Sequence, residues 1–202
     1  MERFQKTRIE AFSDGVFAII ITLLVLEINV PEIDMHNSAN QLTQALIHLF
    51  PKFLSWVISF LMIAVIWVNH HRILESVKLI DRKFFWLNIN LLLWTSFIPF
   101  PTALLGDYAD NKMAASFFGI VLSFTAIAFV LLRLHLVRNP ALRHEAVSEI
   151  SAKRALKRSV VFGPLLYWLG ASMAWIIPVL AWCIYLLIPF FFIFPKLKST
   201  HE

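Results

Sequence analysis

Apolar runs broken by short polar or charged segments organise this chain into six predicted helical spans. The first covers residues 10–29, with Gly15-Val-Phe-Ala-Ile-Ile-Ile-Thr-Leu-Leu-Val-Leu26 at its heart and Pro31 closing it. Its length is close to the roughly 20 residues that a helix needs to cross a bilayer core. A polar stretch from Glu32 to Gln44 follows, then a second span over 45–70 with Pro51 near its first turn. A charged connection over 71–83 leads to a third span, 84–105, which Pro99 and Pro101 are set to kink or end. A tight turn over 106–112 precedes the fourth span, 113–132, and a basic segment over 133–158 predicts a partly amphipathic helix. The last apolar stretch, 159–194, is about twice the length of a span. Pro178 near its middle predicts a helical hairpin, with spans over 159–177 and 179–195; one span plus an interfacial segment is the alternative.

Composition agrees with this pattern. A mean hydropathy of +0.72 with 59% hydrophobic residues excludes an ordinary soluble domain. The expectation is one all-α polytopic membrane domain over residues 1–202, with six transmembrane helices. The net charge of +5 would suit nucleic acid, but the basic residues sit in short loops between apolar runs and read as topology signals. No nucleic-acid partner is expected; the bilayer is. Arg3, Lys6, Arg8, Arg72, Lys78, Arg82, Lys83, the seven basic residues of 133–158, Lys196 and Lys198 all fall on one side, against Lys52 and Lys112 on the other. The positive-inside rule then places both termini in the cytoplasm of a cell-membrane protein. The outer side is acidic (Glu27, Glu32, Asp34, Asp107, Asp110), which would concentrate cations at an entrance or would simply be tolerated in outer loops. Cys183, alone in an apolar run, offers no intramolecular disulfide. Asp14 interrupts the start of the first run and no small-x-small cleavage site follows Leu26, so that run reads as a retained span.

Ionisable groups inside a span are costly, and Asp14 therefore needs a partner or a polar purpose. At 100° per residue, Phe12, Gly15, Ile19, Leu23, Leu26 and Val30 form one stripe of the first helix, with Thr22 at its border and Arg8 on its extension. Several copies meeting at an axis would stack Ile19, Leu23 and Leu26 into apolar rings of the kind that gate by narrowing and dewetting. An ordinary packing stripe would look the same. Asp14 lies off this stripe and is expected to face the interior, against the end of the second span, Trp67-Val-Asn69-His70-His71-Arg72. A structural clasp between spans one and two is one reading of that pairing; a proton relay through Asp14 and His70 or His71, as in a proton channel or proton-coupled transporter, is the other. Adjacent histidines point to different faces of a helix and no further ligand set accompanies them, so no metal site is expected. No nucleophile elbow or phosphate loop occurs, no enzyme is expected, and the five glycines build no carbonyl-ring selectivity filter.

Two of these features together carry a resemblance. Arg8-x-x-x-Phe12-Ser13-Asp14 opening the first span, with Trp67-x-Asn69-His70-His71-Arg72 ending the second, resembles the prokaryotic branch of the transmembrane protein 175 family, which are potassium-permeable channels. The six-span length matches one family repeat, so the resemblance covers essentially the whole chain. It implies a homotetramer in which each subunit contributes its first helix to a central pore, with potassium as the permeant ion and no cofactor. Carried onto this sequence, Ile19 takes the narrowest position, Leu23 and Leu26 follow on the same face, and Thr22 offers a hydroxyl to a partly dehydrated cation. Arg8, Ser13 and Asp14 would form a packing network with Trp67, Asn69 and either His70 or His71.

Overall fold

The computed structural model describes residues 5–32 and 38–193; Arg3, Asp34, Lys196, Lys198 and the expected span end at 194–195 lie outside them. Helix α1 (Lys6–Leu23) tightens into a 3-10 turn over Leu24–Glu27 and ends at Ile28, whose backbone is extended. Helix α2 (Ser38–His48) precedes α3 (Phe50–Ser76), where Pro51 occupies the first turn, a position at which its missing N–H costs nothing. Helices α4 (Arg82–Ser96) and α5 (Pro99–Asp107) form one kinked rod, broken at Phe97–Ile98 ahead of Pro99. Helix α6 (Lys112–Arg138) follows, its N-terminus capped by the Asn111 side chain. Helix α7 (Glu149–Val160) passes through a π-helical turn at Val161–Leu165, which holds Pro164, into α8 (Leu166–Met173). A turn over 174–177 then reverses the chain into α9 (Pro178–Ile193).

Among the described residues, four rods are long and apolar enough to cross a membrane: Lys6–Glu27, Phe50–Ser76, Arg82–Asp107 and Lys112–Arg138. Two of them outrun their apolar runs. Helix α3 continues through the predicted charged connection to Ser76, and α6 continues to Arg138. Hydropathy marks where greasy surface stops, not where backbone hydrogen bonding stops. Helix α3 is extended by residues such as His71 and Glu75, which face each other one turn apart at 3.4 Å. The basic segment does hold an amphipathic helix, α7, none of whose residues is buried.

Helix α6 is the central post. It packs against α4, α5, α7, α8 and α9, while α1 leans on α3 and α4. Tyr185 of α9 locks three helices together. Its ring lies where a Cβ on Gly119 of α6 or Gly170 of α8 would sit, and its hydroxyl donates to the Ala115 carbonyl at 2.9 Å. Glycine at both positions lets the backbones close on the ring. Ser59 and Thr102 join α3 to α5 at 2.7 Å. At the basic end of α6, Asp81 accepts from the Phe84 amide at 2.7 Å as the cap of α4, and both its oxygens meet His135 Nε2 at 3.0 Å.

Candidate functional site

Helix α1 has two unlike faces. Ile9, Ser13, Phe17, Ile20 and Leu24 recur at three- and four-residue spacing and are buried against α3 and α4. The predicted stripe is open. Phe12, Ile19, Leu23, Leu26 and Val30 are 54%, 59%, 45%, 67% and 89% exposed within the chain, and a Cβ on Gly15 would meet nothing within 4 Å. The 3-10 turn sharpens the stripe. Residues three apart eclipse each other in that geometry, so Leu26 comes into line over Leu23 instead of drifting off the face. Thr22, at the border, is exposed and turns its hydroxyl back to the Ala18 and Ile19 carbonyls, 2.9 Å from each. With its proton engaged by the backbone, the oxygen keeps lone pairs for an outside donor or cation.

The polar residues of the motif separate into two contacts. Ser13, fully buried, accepts from Asn88 Nδ2 at 3.0 Å, and Asn88 Oδ1 lies 2.6 Å from His70 Nε2. This chain of Ser13, Asn88 and His70 ties α1, α4 and α3 together in the bundle interior. The imidazole also lies 5.3 Å from the Phe17 ring, which closes the apolar wall over it. The second contact is peripheral. Asp14 Oδ1 accepts from Trp67 Nε1 at 2.9 Å, between two exposed side chains.

The expectation that Asp14 faces the interior is therefore corrected: it is Ser13 that points inward. The register explains it, since Ser13 shares the buried stripe with Ile9 and Phe17, and Asp14 is rotated away by one residue. Of the two histidines, His70 is buried and joins the network, while His71 is exposed, stacks on Trp67 and pairs with Glu75. Asn69 donates to the Val65 carbonyl of its own helix at 2.9 Å. Arg8 is exposed and stands apart from both contacts within the chain. The sequence reading missed Asn88, the centre of the network. Its signal was present: two asparagines, Asn88 and Asn90, interrupt an apolar span where an unpaired amide is costly.

The likeness to known proteins spans the residues that make these contacts. The family model of the endosomal/lysosomal potassium channel TMEM175 matches residues 8–99, the segment that holds Ser13, Asp14, Trp67, His70 and Asn88. A potassium channel of Chamaesiphon minutus is 41% identical over 87% of this chain and 87% of its own length. A potassium channel of Streptomyces collinus is 38% identical over 84% of this chain and 82% of its own. A crystal structure of a lysosomal potassium-selective channel TMEM175 homolog from Chamaesiphon minutus superposes with a TM-score of 0.81 at 37% identity, covering 93% of this chain and 96% of that one. With its apolar rods and this likeness along almost its whole length, the chain is a multi-pass membrane protein and belongs to the TMEM175 family.

Proposed function

We propose that this protein is a passive, potassium-permeable channel, built from four copies of the chain around a pore lined by α1. The observation that carries the reading is the division of α1. One face is fixed to α3 and α4 by Phe17, Ile20 and the Ser13–Asn88–His70 chain, and the other leaves Ile19, Leu23 and Leu26 exposed among the described residues. The relatives named as potassium channels supply the ion. One apolar helix face cannot enclose a water path, so conduction requires neighbouring copies.

In the ring so formed, Ile19, Leu23 and Leu26 make successive apolar constrictions that narrow the path and favour dewetting. Ile19 is the narrowest. Thr22, whose proton is bound to backbone carbonyls, turns oxygen lone pairs towards a cation that has shed part of its water. Residues 159–177, through the π-helical turn and α8, and then α9 complete six spans, and the excess of Lys and Arg at one end of the bundle sets both termini in the cytoplasm. The two polar contacts are clasps that hold α1 at a fixed tilt and rotation. A proton relay is less well supported, because Asp14 bonds to an indole N–H, which donates but does not accept and so passes no proton on.

The test is flux from liposomes holding the purified protein, under a potassium gradient and then a sodium gradient, with Ile19→Asn in parallel. Faster potassium than sodium flux, and a larger or less selective leak in the variant, support the channel. No flux with either ion, in both proteins, from a well-folded oligomer would remove it.

A further inference from the structure

A cavity of about 410 Å3 opens at the basic end of the bundle, between the ends of α3 and α6, the connector after α6, and α7. Among the described residues, its walls carry four guanidinium groups, Arg72, Arg133, Arg143 and Arg158, and no carboxylate. They come from four separate places in the chain, so no local charge run explains their meeting.

Two of the four are deep. Arg143 is 7% exposed, and its Nε and Nη1 atoms are buried with no hydrogen-bond partner; Arg133 Nε is in the same state, with its guanidinium 5.0 Å over the Phe129 ring. Buried N–H donors almost always have partners, and a buried charge without one is unstable. The nearby acids are already engaged. Glu75 pairs with His71, Glu145 with Lys78, Glu149 with Lys153 and Asp81 with His135. Among the described residues, then, the four arginines converge on one space and none of them forms an ion pair with a carboxylate; Glu149, itself paired with Lys153, is within electrostatic reach of Arg143.

The cavity also borders apolar space. Asn69 and Ser159 line it and line a second crevice of about 70 Å3 as well, whose other walls include Ile66, Leu122, Phe129 and Phe162. The π-helical turn at Val161–Leu165 runs along that crevice through Phe162 and Gly163. Such turns insert one extra residue per turn and often mark sites. Guanidinium forks match phosphate oxygens bidentately, and several of them beside a span attract anionic headgroups.

We propose that this cavity binds a phosphate-bearing anion, held by Arg72, Arg133, Arg143 and Arg158. The apolar crevice beside it fits the start of an acyl chain, so the headgroup of an anionic phospholipid and free phosphate are the two sources that share this chemistry. The site is separate from the α1 stripe, and its existence does not depend on conduction.

The experiment uses the full chain, purified and stripped of lipid, with native mass spectrometry to read binding of phosphatidylglycerol, phosphatidylcholine and inorganic phosphate. The expected result is that phosphatidylglycerol binds about tenfold or more tightly than phosphatidylcholine, and that the double variant Arg72→Gln/Arg158→Gln, at the exposed rim, removes most of that preference. Arg143→Gln is expected to remove it too; should that buried variant not fold, the rim pair decides alone. A control pair on the outer side of α7, Arg154→Gln/Lys157→Gln, is expected to change binding by less than about twofold. Phosphatidylglycerol and inorganic phosphate competing for one site, with the lipid the tighter, assigns the lipid as the source; equal affinity, lost equally in the rim variant, assigns free phosphate. The proposal is overturned if neither probe binds, if the rim variant keeps the preference, or if the control pair costs as much as the rim pair.

Discussion

The two faces of α1 are made from nearly the same apolar residues, yet they have opposite fates. Phe17 and Ile20 on one face are 3% and 4% exposed, while Ile19, one residue from Ile20, is 59% exposed. Composition does not separate them; polar chemistry does. Ser13 shares a stripe with Phe17 and Ile20, and its hydroxyl finds its partner in Asn88 of α4. A buried hydroxyl without that partner would be costly, so the network selects which face of a uniformly greasy helix turns inward. The remaining face is then presented outward by default, at a rotation fixed by hydrogen bonds. In the proposed pore, geometric rigidity on one side is what would make a defined constriction possible on the other.

This comparison can be broken most severely on the buried face. Phe17→Ala removes a ring that packs on His70 and the core, and is expected to destabilise the protein by about 3–5 kcal/mol in detergent unfolding, whereas Ile19→Ala is expected to cost under about 0.5 kcal/mol there. Asn88→Leu comes next. It strands the Ser13 hydroxyl and the His70 ring nitrogen together, with an expected loss of about 2–4 kcal/mol in the same assay. Equal losses for Phe17→Ala and Ile19→Ala would mean that the open face is packed in the assembly as tightly as the buried one.

A smaller effect sharpens the distinction between the two polar contacts. Asp14→Ala and Trp67→Phe each delete the exposed 2.9 Å bond, so each is expected to cost about 1 kcal/mol, and the double variant little more than either alone. Asp14→Asn keeps an acceptor for the indole and is expected to be nearly neutral for folding and for flux. Strict loss of flux in a folded Asp14→Asn oligomer would bring the proton-relay reading forward.

The long rods were legible because lipid-length apolar runs leave few alternatives, and the kink before Pro99 was legible because proline removes a backbone donor. The stripe on α1 was legible because one helix has only one period. What the sequence concealed were features set by other helices. That α3 runs on to Ser76 depends on pairs such as His71–Glu75, which hydropathy counts only as polar. Which of Ser13 and Asp14 points inward depends on where Asn88 stands, and His70 separates from His71 only once α4 is in place. The four arginines of the basic cavity come together only through the packing of α7 on α6 and the turn that carries Arg143.

The most direct test of the central claim, that the open face of α1 lines a water path, is thiol accessibility during flux. Cys183→Ser provides a background without native thiol, and single cysteines are placed by Ile19→Cys, Leu23→Cys and Ile20→Cys. A charged methanethiosulfonate reagent reacts only where water reaches. Block of potassium flux in Ile19→Cys and Leu23→Cys, with Ile20→Cys unaffected, is the predicted result. Full flux after treatment of all three, with no labelling at position 19 or 23, would place that face against lipid or protein and contradict the account.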